Sequence, residues 1–146
     1  MDENFNMTPE NLHDIIMNAK IGEMRKDAQI ETCTVFAAAL GDLLKNRKIE
    51  HTYLCVSPKT PHSSLMWYHT VIGFAGKMFD SYGLFNADIL KKRQKLKIDL
   101  DLLVKNDVRE DVAEEFSKLY IFFVKKLEKS FAEFEKTINH QLEIAP

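Results

Sequence analysis

Three residues of this 146-residue sequence are of types that do chemistry together: Cys33, His69 and Asp80. A thiol reacts as its thiolate, and a neutral imidazole can take up the thiol proton. A carboxylate can hold that imidazole in one tautomer and support its positive charge. The combination attacks amide or thioester carbonyls. Taken singly, each residue has a plainer role. A cysteine ahead of an apolar helix is commonly a small buried hydrophobe. A strand histidine can be a satisfied core or sheet-surface residue. Asp80, followed by Ser81-Tyr82-Gly83, can simply open a turn. The plain roles lose weight together, because a helix-start Cys, a strand His and a next-strand Asp follow in one order.

Three elements must position these groups. The first is a helix over roughly Cys33 to Asn46, with Thr32 as its cap and Phe36, Ala37, Leu40, Leu43 and Leu44 as its apolar stripe. A thiolate at Cys33 would meet the unpaired N–H groups and the dipole of that helix start. Ala37, Ala38, Ala39 and Gly41 are small enough for another element to approach closely. Gly41 costs about 1 kcal/mol against Ala in a helix, so it needs such a reason.

The other two are strands. Glu50 to Val56, Leu65 to Phe74 and Lys77 to Tyr82 read as an antiparallel meander, with Gly83 ending the third strand. The stretch SPKTPHSS (57–64) is a loop. If Ala75-Gly76 is a two-residue hairpin loop, Phe74 faces Lys77 and Val71 faces Asp80. His69 and Asp80 then share a sheet face as diagonal neighbours, ~7 Å apart at Cα. A three-residue loop would put them on opposite faces. The site requires a carboxylate oxygen about 2.6–3.2 Å from one ring nitrogen and the sulfur about 3–4.5 Å from the other.

The rest of the chain reads as helical. Thr8 caps and Pro9 starts an early helix whose Leu12, Ile15, Ile16 and Ala19 share a face. From Ala87 onward the pattern is helical again. The basic cluster KKRQKLK (91–97) reads as a solvated helix face, with a phosphate or acidic partner as the alternative. From Val108 to about Leu142, Val112, Phe116, Leu119, Phe123, Leu127, Phe131 and Phe134 form a stripe for core packing. Self-association or partner binding through these C-terminal helices is the alternative. The expected fold is α+β: an antiparallel sheet of three to five strands against the Cys33 helix, with additional C-terminal helices outside. One domain, 1–146, holds a triad segment (29–83) and a C-terminal helical region (87–146).

Composition narrows the function. Hydrophobic residues make up 45% and charged residues 29%, with a net charge of -2, which is the range of ordinary globular proteins. There is no basic excess to bind nucleic acid or an acidic membrane. No run approaches the ~18 apolar residues of a membrane span. The acidic, polar N-terminus lacks the basic start and apolar stretch of a secretory signal, so the expected location is cytoplasmic, or delivery without a cleaved signal peptide. The two cysteines form no CxxC pair, which argues against structural zinc and for free thiols. His51, His62 and His69 show no ligand spacing, so no metal and no cofactor are expected. Cys55 falls mid-strand and reads as buried.

The stretches TCTVFAAALGDLL, HTVIGF and KMFDSYG resemble the papain-like and transglutaminase-like cysteine hydrolase superfamily, in particular its compact bacterial members. The resemblance covers roughly Gln29 to Gly83. It implies Cys33 as nucleophile, His69 as base and Asp80 as the orienting residue. It also offers Gln29 as an oxyanion donor beside the Cys33 backbone N–H; the alternative for Gln29 is a surface-loop amide. Trp67, two residues from His69, could present an aromatic wall to substrate or pack under a helix. His62, in a Pro-flanked loop, could border the cleft or stand exposed. The implied activity is hydrolysis by a peptidase, amidase or deamidase, or acyl transfer of the transglutaminase kind. A selective amidase or deamidase with a protein substrate fits the resemblance best. The competing expectation is a non-catalytic protein-binding module that uses the C-terminal helices as its surface.

Overall fold

Thr8 and Pro9 begin helix α1 (Pro9–Ala19) as their chemistry dictates: the Thr8 hydroxyl accepts the Asn11 N–H at 3.1 Å, and Pro9 takes a first-turn position where no donor is needed. The computed structural model describes residues 7–21, 33–58, 69–85, 100–105 and 114–144. Leu12, Ile15, Ile16 and Ala19 are the buried face of α1, as their spacing predicts. Helix α2 spans Cys33–Asn46, the range read from the sequence.

The sheet has five strands: β1 (Thr52–Pro58), β2 (His69–Phe74), β3 (Lys77–Asp80), β4 (Gly83–Phe85) and β5 (Leu100–Lys105). Their order is β4-β3-β2-β1-β5, and every neighbouring pair is antiparallel. The Ala75-Gly76 loop has two residues, and Phe74 pairs with Lys77. Both loop residues have positive φ, 51° and 77°, the condition of a type I′ turn, whose twist matches the strands it joins.

Three readings need correction. Ser57 and Pro58, read as loop, belong to β1 and pair with Asp101 and Leu100 of β5. Gly83 does not end the third strand; it starts β4 after a tight turn, with φ at 85°. The region from Ala87 onward is not wholly helical, because β5 lies within it and pairs with β1 from Tyr53 to Pro58. The physical reason is that β1 otherwise leaves one edge of N–H and C=O groups unmatched. Leu100, Leu102 and Val104 alternate with Asp101 and Lys105, a strand period too short to stand out beside a long helical pattern.

A short 3₁₀ turn (Glu114–Phe116) leads into α3 (Ser117–Ile144). Phe123, Leu127 and Phe131 of α3 are fully buried with the faces of α1 and α2 in one core, which also takes in Tyr53, Ile72 and Phe79 from the sheet. Phe36 and Phe123 meet edge to face at 6.0 Å. The Ser130 hydroxyl donates to the Ile15 carbonyl at 2.6 Å, which pins α3 to α1. Arg47, just past α2, spans one face of α3: its Nε meets Glu135 at 2.6 Å, its terminal nitrogens meet Glu128, and its guanidinium lies 4.4 Å over the Phe131 ring. Gly41 has the packing reason its cost demands, since a Cβ there would collide with the hydroxyl end of Tyr53 on β1. Among the described residues no helix is long and apolar enough to cross a membrane.

Candidate active site

Helix α2 begins at Cys33, strand β2 begins at His69 and strand β3 ends at Asp80. All three groups therefore lie at element ends, and the structure brings them together. His69 Nε2 meets Asp80 Oδ2 at 3.3 Å, just beyond the expected range. The hairpin register produces this contact, since it makes His69 and Asp80 diagonal neighbours. Asp80 also fills the plainer role of a turn residue, because its Oδ1 accepts the Tyr82 N–H at 2.9 Å and closes the turn into β4. One carboxylate thus orients the ring with one oxygen and fixes its own position with the other. The turn is held in place from α1, because the Leu84 N–H donates to His13 Nδ1 at 2.8 Å. Gly83 leaves the room this requires, as a Cβ there would strike the His13 ring.

The sulfur is held from the sheet. The β2–β3 ladder stops at the Ile72–Phe79 pair, and beyond it the Thr70 N–H points to Cys33 Sγ at 3.5 Å. The Thr70 hydroxyl meets the Thr34 hydroxyl at 3.0 Å and lies 3.8 Å from Cys55 Sγ. The site is almost dry: relative exposure is 5% for Cys33, 1% for His69 and 2% for Asp80.

Burial and neighbours compete over the charges here. Burial pushes the Cys33 thiol up, but the His69 ring, the Thr70 N–H and the Thr34 hydroxyl together hold it below its ordinary value. Burial pushes His69 down, yet Asp80 and Cys33 outweigh it and raise the imidazole to about 9. The two shifts have one meaning: each group favours the charged form of the other, drawing the thiol toward thiolate and the ring toward imidazolium. Nε2 is the ring nitrogen that meets Asp80.

Gln29, His62 and Trp67 lie outside the described residues, as does the Thr32 cap. Cys55 sits mid-strand and buried at 8% exposure. Sequence reasoning missed Thr34 and Thr70. A polar residue beside each of Cys33 and His69 was the available signal, but only the fold brings the two hydroxyls together. Among the described residues, no group of three or more His, Cys, Asp and Glu side chains could hold a metal ion. The large open groove of the described residues is elsewhere, at the hairpin end of β2. It encloses about 860 Å³ between Lys45, Lys48, Leu54, Gly73, Lys77 and Met78. Gly73 is four residues along the strand from His69, ~13 Å at ~3.3 Å per residue. Cavity size therefore does not mark the chemistry here. The coupled thiol, ring and carboxylate do. Comparison with protein-family models, with curated proteins and with solved structures finds no match for the chain.

Proposed function

We propose that this chain is a thiol-dependent hydrolase or acyltransferase acting on amide or thioester bonds, of the papain-like and transglutaminase-like kind. The observation that supports the reading is the buried His69–Asp80 pair at 3.3 Å, with the Cys33 sulfur held 3.5 Å from the N–H of the next residue, Thr70. In the proposed reaction the Cys33 thiolate attacks the carbonyl carbon. The His69 imidazolium gives its proton to the departing amine or thiol, leaving an acyl-thioester on Cys33. Neutral His69 then draws a proton from water, or from an amine acceptor, as that group attacks the thioester. The sulfur leaves as thiolate and the ring is imidazolium again. Asp80 keeps the ring oriented through both steps. The acyl acceptor is set by what surrounds the sulfur, so the triad alone serves hydrolysis and transfer equally. A selective amidase, deamidase or peptidase with a protein substrate remains the favoured form, on the resemblance of the three stretches.

The test uses an activated acyl ester, p-nitrophenyl acetate, as a generic acyl donor. The intact chain should release a burst of nitrophenolate stoichiometric with protein, and intact-mass spectrometry should find one acetyl group on Cys33. Cys33→Ala should give no burst, while Cys55→Ala should keep it. A burst that survives Cys33→Ala, or an acetyl group on Cys55, would contradict the assignment of the nucleophile.

A further inference from the structure

We propose that the open groove of about 860 Å³ at the hairpin end of β2 docks an extended, acidic segment of a partner protein. This docking does not require Cys33 to be reactive. Charge is the first sign of the occupant. Lys45, Lys48 and Lys77 line the groove, and Glu50 is the acid among its lining residues. The three lysines are exposed, and no ion pair among the described residues involves them. The chain as a whole has a net charge of -2, so this cluster of cations runs against the overall balance. Such a patch attracts and orients a segment of the opposite sign.

The floor of the groove shows what should carry those acids. Tyr53, Ile72 and Phe79 turn into the core, so their strand neighbours Thr52, Leu54, Gly73 and Met78 turn to the opposite face of the sheet. Gly73 keeps this face low, since a Cβ there would meet the Thr52 hydroxyl and the Leu54 side chain. Leu54 and Met78 are half-buried and leave aliphatic surface between the lysines. In an extended chain alternate side chains point to opposite sides. Apolar residues of the partner can therefore lie on the floor while the acids between them reach the lysines.

A compact phosphate is a poorer fit. It calls for converging backbone N–H groups or an arginine fork. The N–H groups at this end of α2 are already spent, Lys48 on the Lys45 carbonyl at 3.0 Å and Ile49 on the Leu44 carbonyl at 2.9 Å. His51 Nδ1 meets the Ile49 carbonyl at 2.8 Å. The C-terminal end of a helix is also the negative end of its dipole. What remains is a set of separate ammonium groups, which suits carboxylates spaced along a chain. Single-stranded nucleic acid would need aromatic faces for its bases, and Phe74, which lines the groove, is already packed against Phe79 at 6.3 Å.

The experiment is fluorescence anisotropy on the full chain, with a fluorescein-labelled octapeptide of alternating Glu and Leu as the probe. Saturable binding is expected, weakened at least about fivefold when ionic strength is raised about tenfold. Lys45→Ala combined with Lys77→Ala should weaken it about three- to tenfold, the effect of two surface ion pairs. Lys118→Ala combined with Lys125→Ala changes two exposed lysines of α3 outside the groove and should leave binding within about twofold. An octapeptide with Ser in place of Leu should bind more weakly, and one with Lys in place of Glu should not bind. Absence of saturable binding, equal losses in the two lysine pairs, or equal binding of the Ser peptide would overturn the proposal. Displacement of the probe by inorganic phosphate or by a single-stranded oligonucleotide at equal charge concentration would also overturn it, in favour of that anion.

Discussion

The two ends of β2 face opposite demands. At the His69 end a thiol, an imidazole and a carboxylate sit at 5% exposure or less and shift one another's charges. At the hairpin end an open groove is rimmed by Lys45, Lys48 and Lys77, and none of the ion pairs among the described residues involves these lysines. Helix α2 runs between the two ends. Its start carries Cys33, and Lys45 stands in its last turn, where a cation is favoured. The difference teaches that charge becomes chemically useful where water is absent. At the dry end, every charge has to be matched by a neighbour. At the wet end, water does that work and the side chains stay independent.

The comparison can be broken most severely at the dry end. Removing the base with His69→Ala should lower turnover of an acyl donor by about 10²- to 10⁴-fold, the usual reach of a positioned acid–base group. Asp80→Asn should cost less, because an amide can still orient the ring and close the turn to β4. Steady-state rates at neutral pH measure both. A variant Asp80→Asn worse than His69→Ala would mean that Asp80 acts as more than an orienting group.

A second break lies midway, where Gly41 lets Tyr53 approach α2. Gly41→Ala should lower unfolding stability by about 1–3 kcal/mol through overpacking, as read from a denaturant midpoint. The displaced helix should also loosen the thiol site, so the Cys33 alkylation profile should move toward an ordinary thiol. Unchanged stability would show that the helix and the strand are not in the close contact described.

The smallest effect belongs to the wet end. Lys45→Ala and Lys77→Ala should change stability by no more than about 0.5 kcal/mol, as exposed substitutions do. Neither should alter the Cys33 alkylation rate by more than about twofold, since ~13 Å exceeds the screening length at physiological salt. A larger change in that rate would join the two ends electrostatically and undo the contrast.

Both ends were legible in part in the sequence. Thr8-Pro9, the apolar stripe of α2 and the Ala-Gly loop are local signals, and local signals set the two helix starts and the hairpin register. That register alone decides whether His69 and Asp80 can meet. Strand β4 has three residues, too few for any periodicity to show. Strand β5 pairs with a strand more than forty residues earlier, and its alternation follows a basic stretch that reads as helix. Thr34 and Thr70 were invisible for a related reason. A hydroxyl has no sequence spacing that announces a partner, and these two are brought together only when α2 docks on β2. The bonds from Arg47 to Glu128 and Glu135 are of the same kind, formed across more than eighty residues.

The most direct test of the central claim compares the two cysteines within one molecule. Cys33 and Cys55 are buried to nearly the same degree, 5% and 8% exposed, so access is matched and a difference in rate reports thiolate character. Cys33 is held below the ordinary thiol value, so its thiolate appears at lower pH, and His69 keeps the paired proton until about 9. The measurement is iodoacetamide labelling of each cysteine between mildly acidic pH and about 9. The account predicts that Cys33 labels at least about tenfold faster than Cys55 near neutral pH, and that His69→Ala removes most of this advantage. Equal rates, or a faster Cys55, would contradict it.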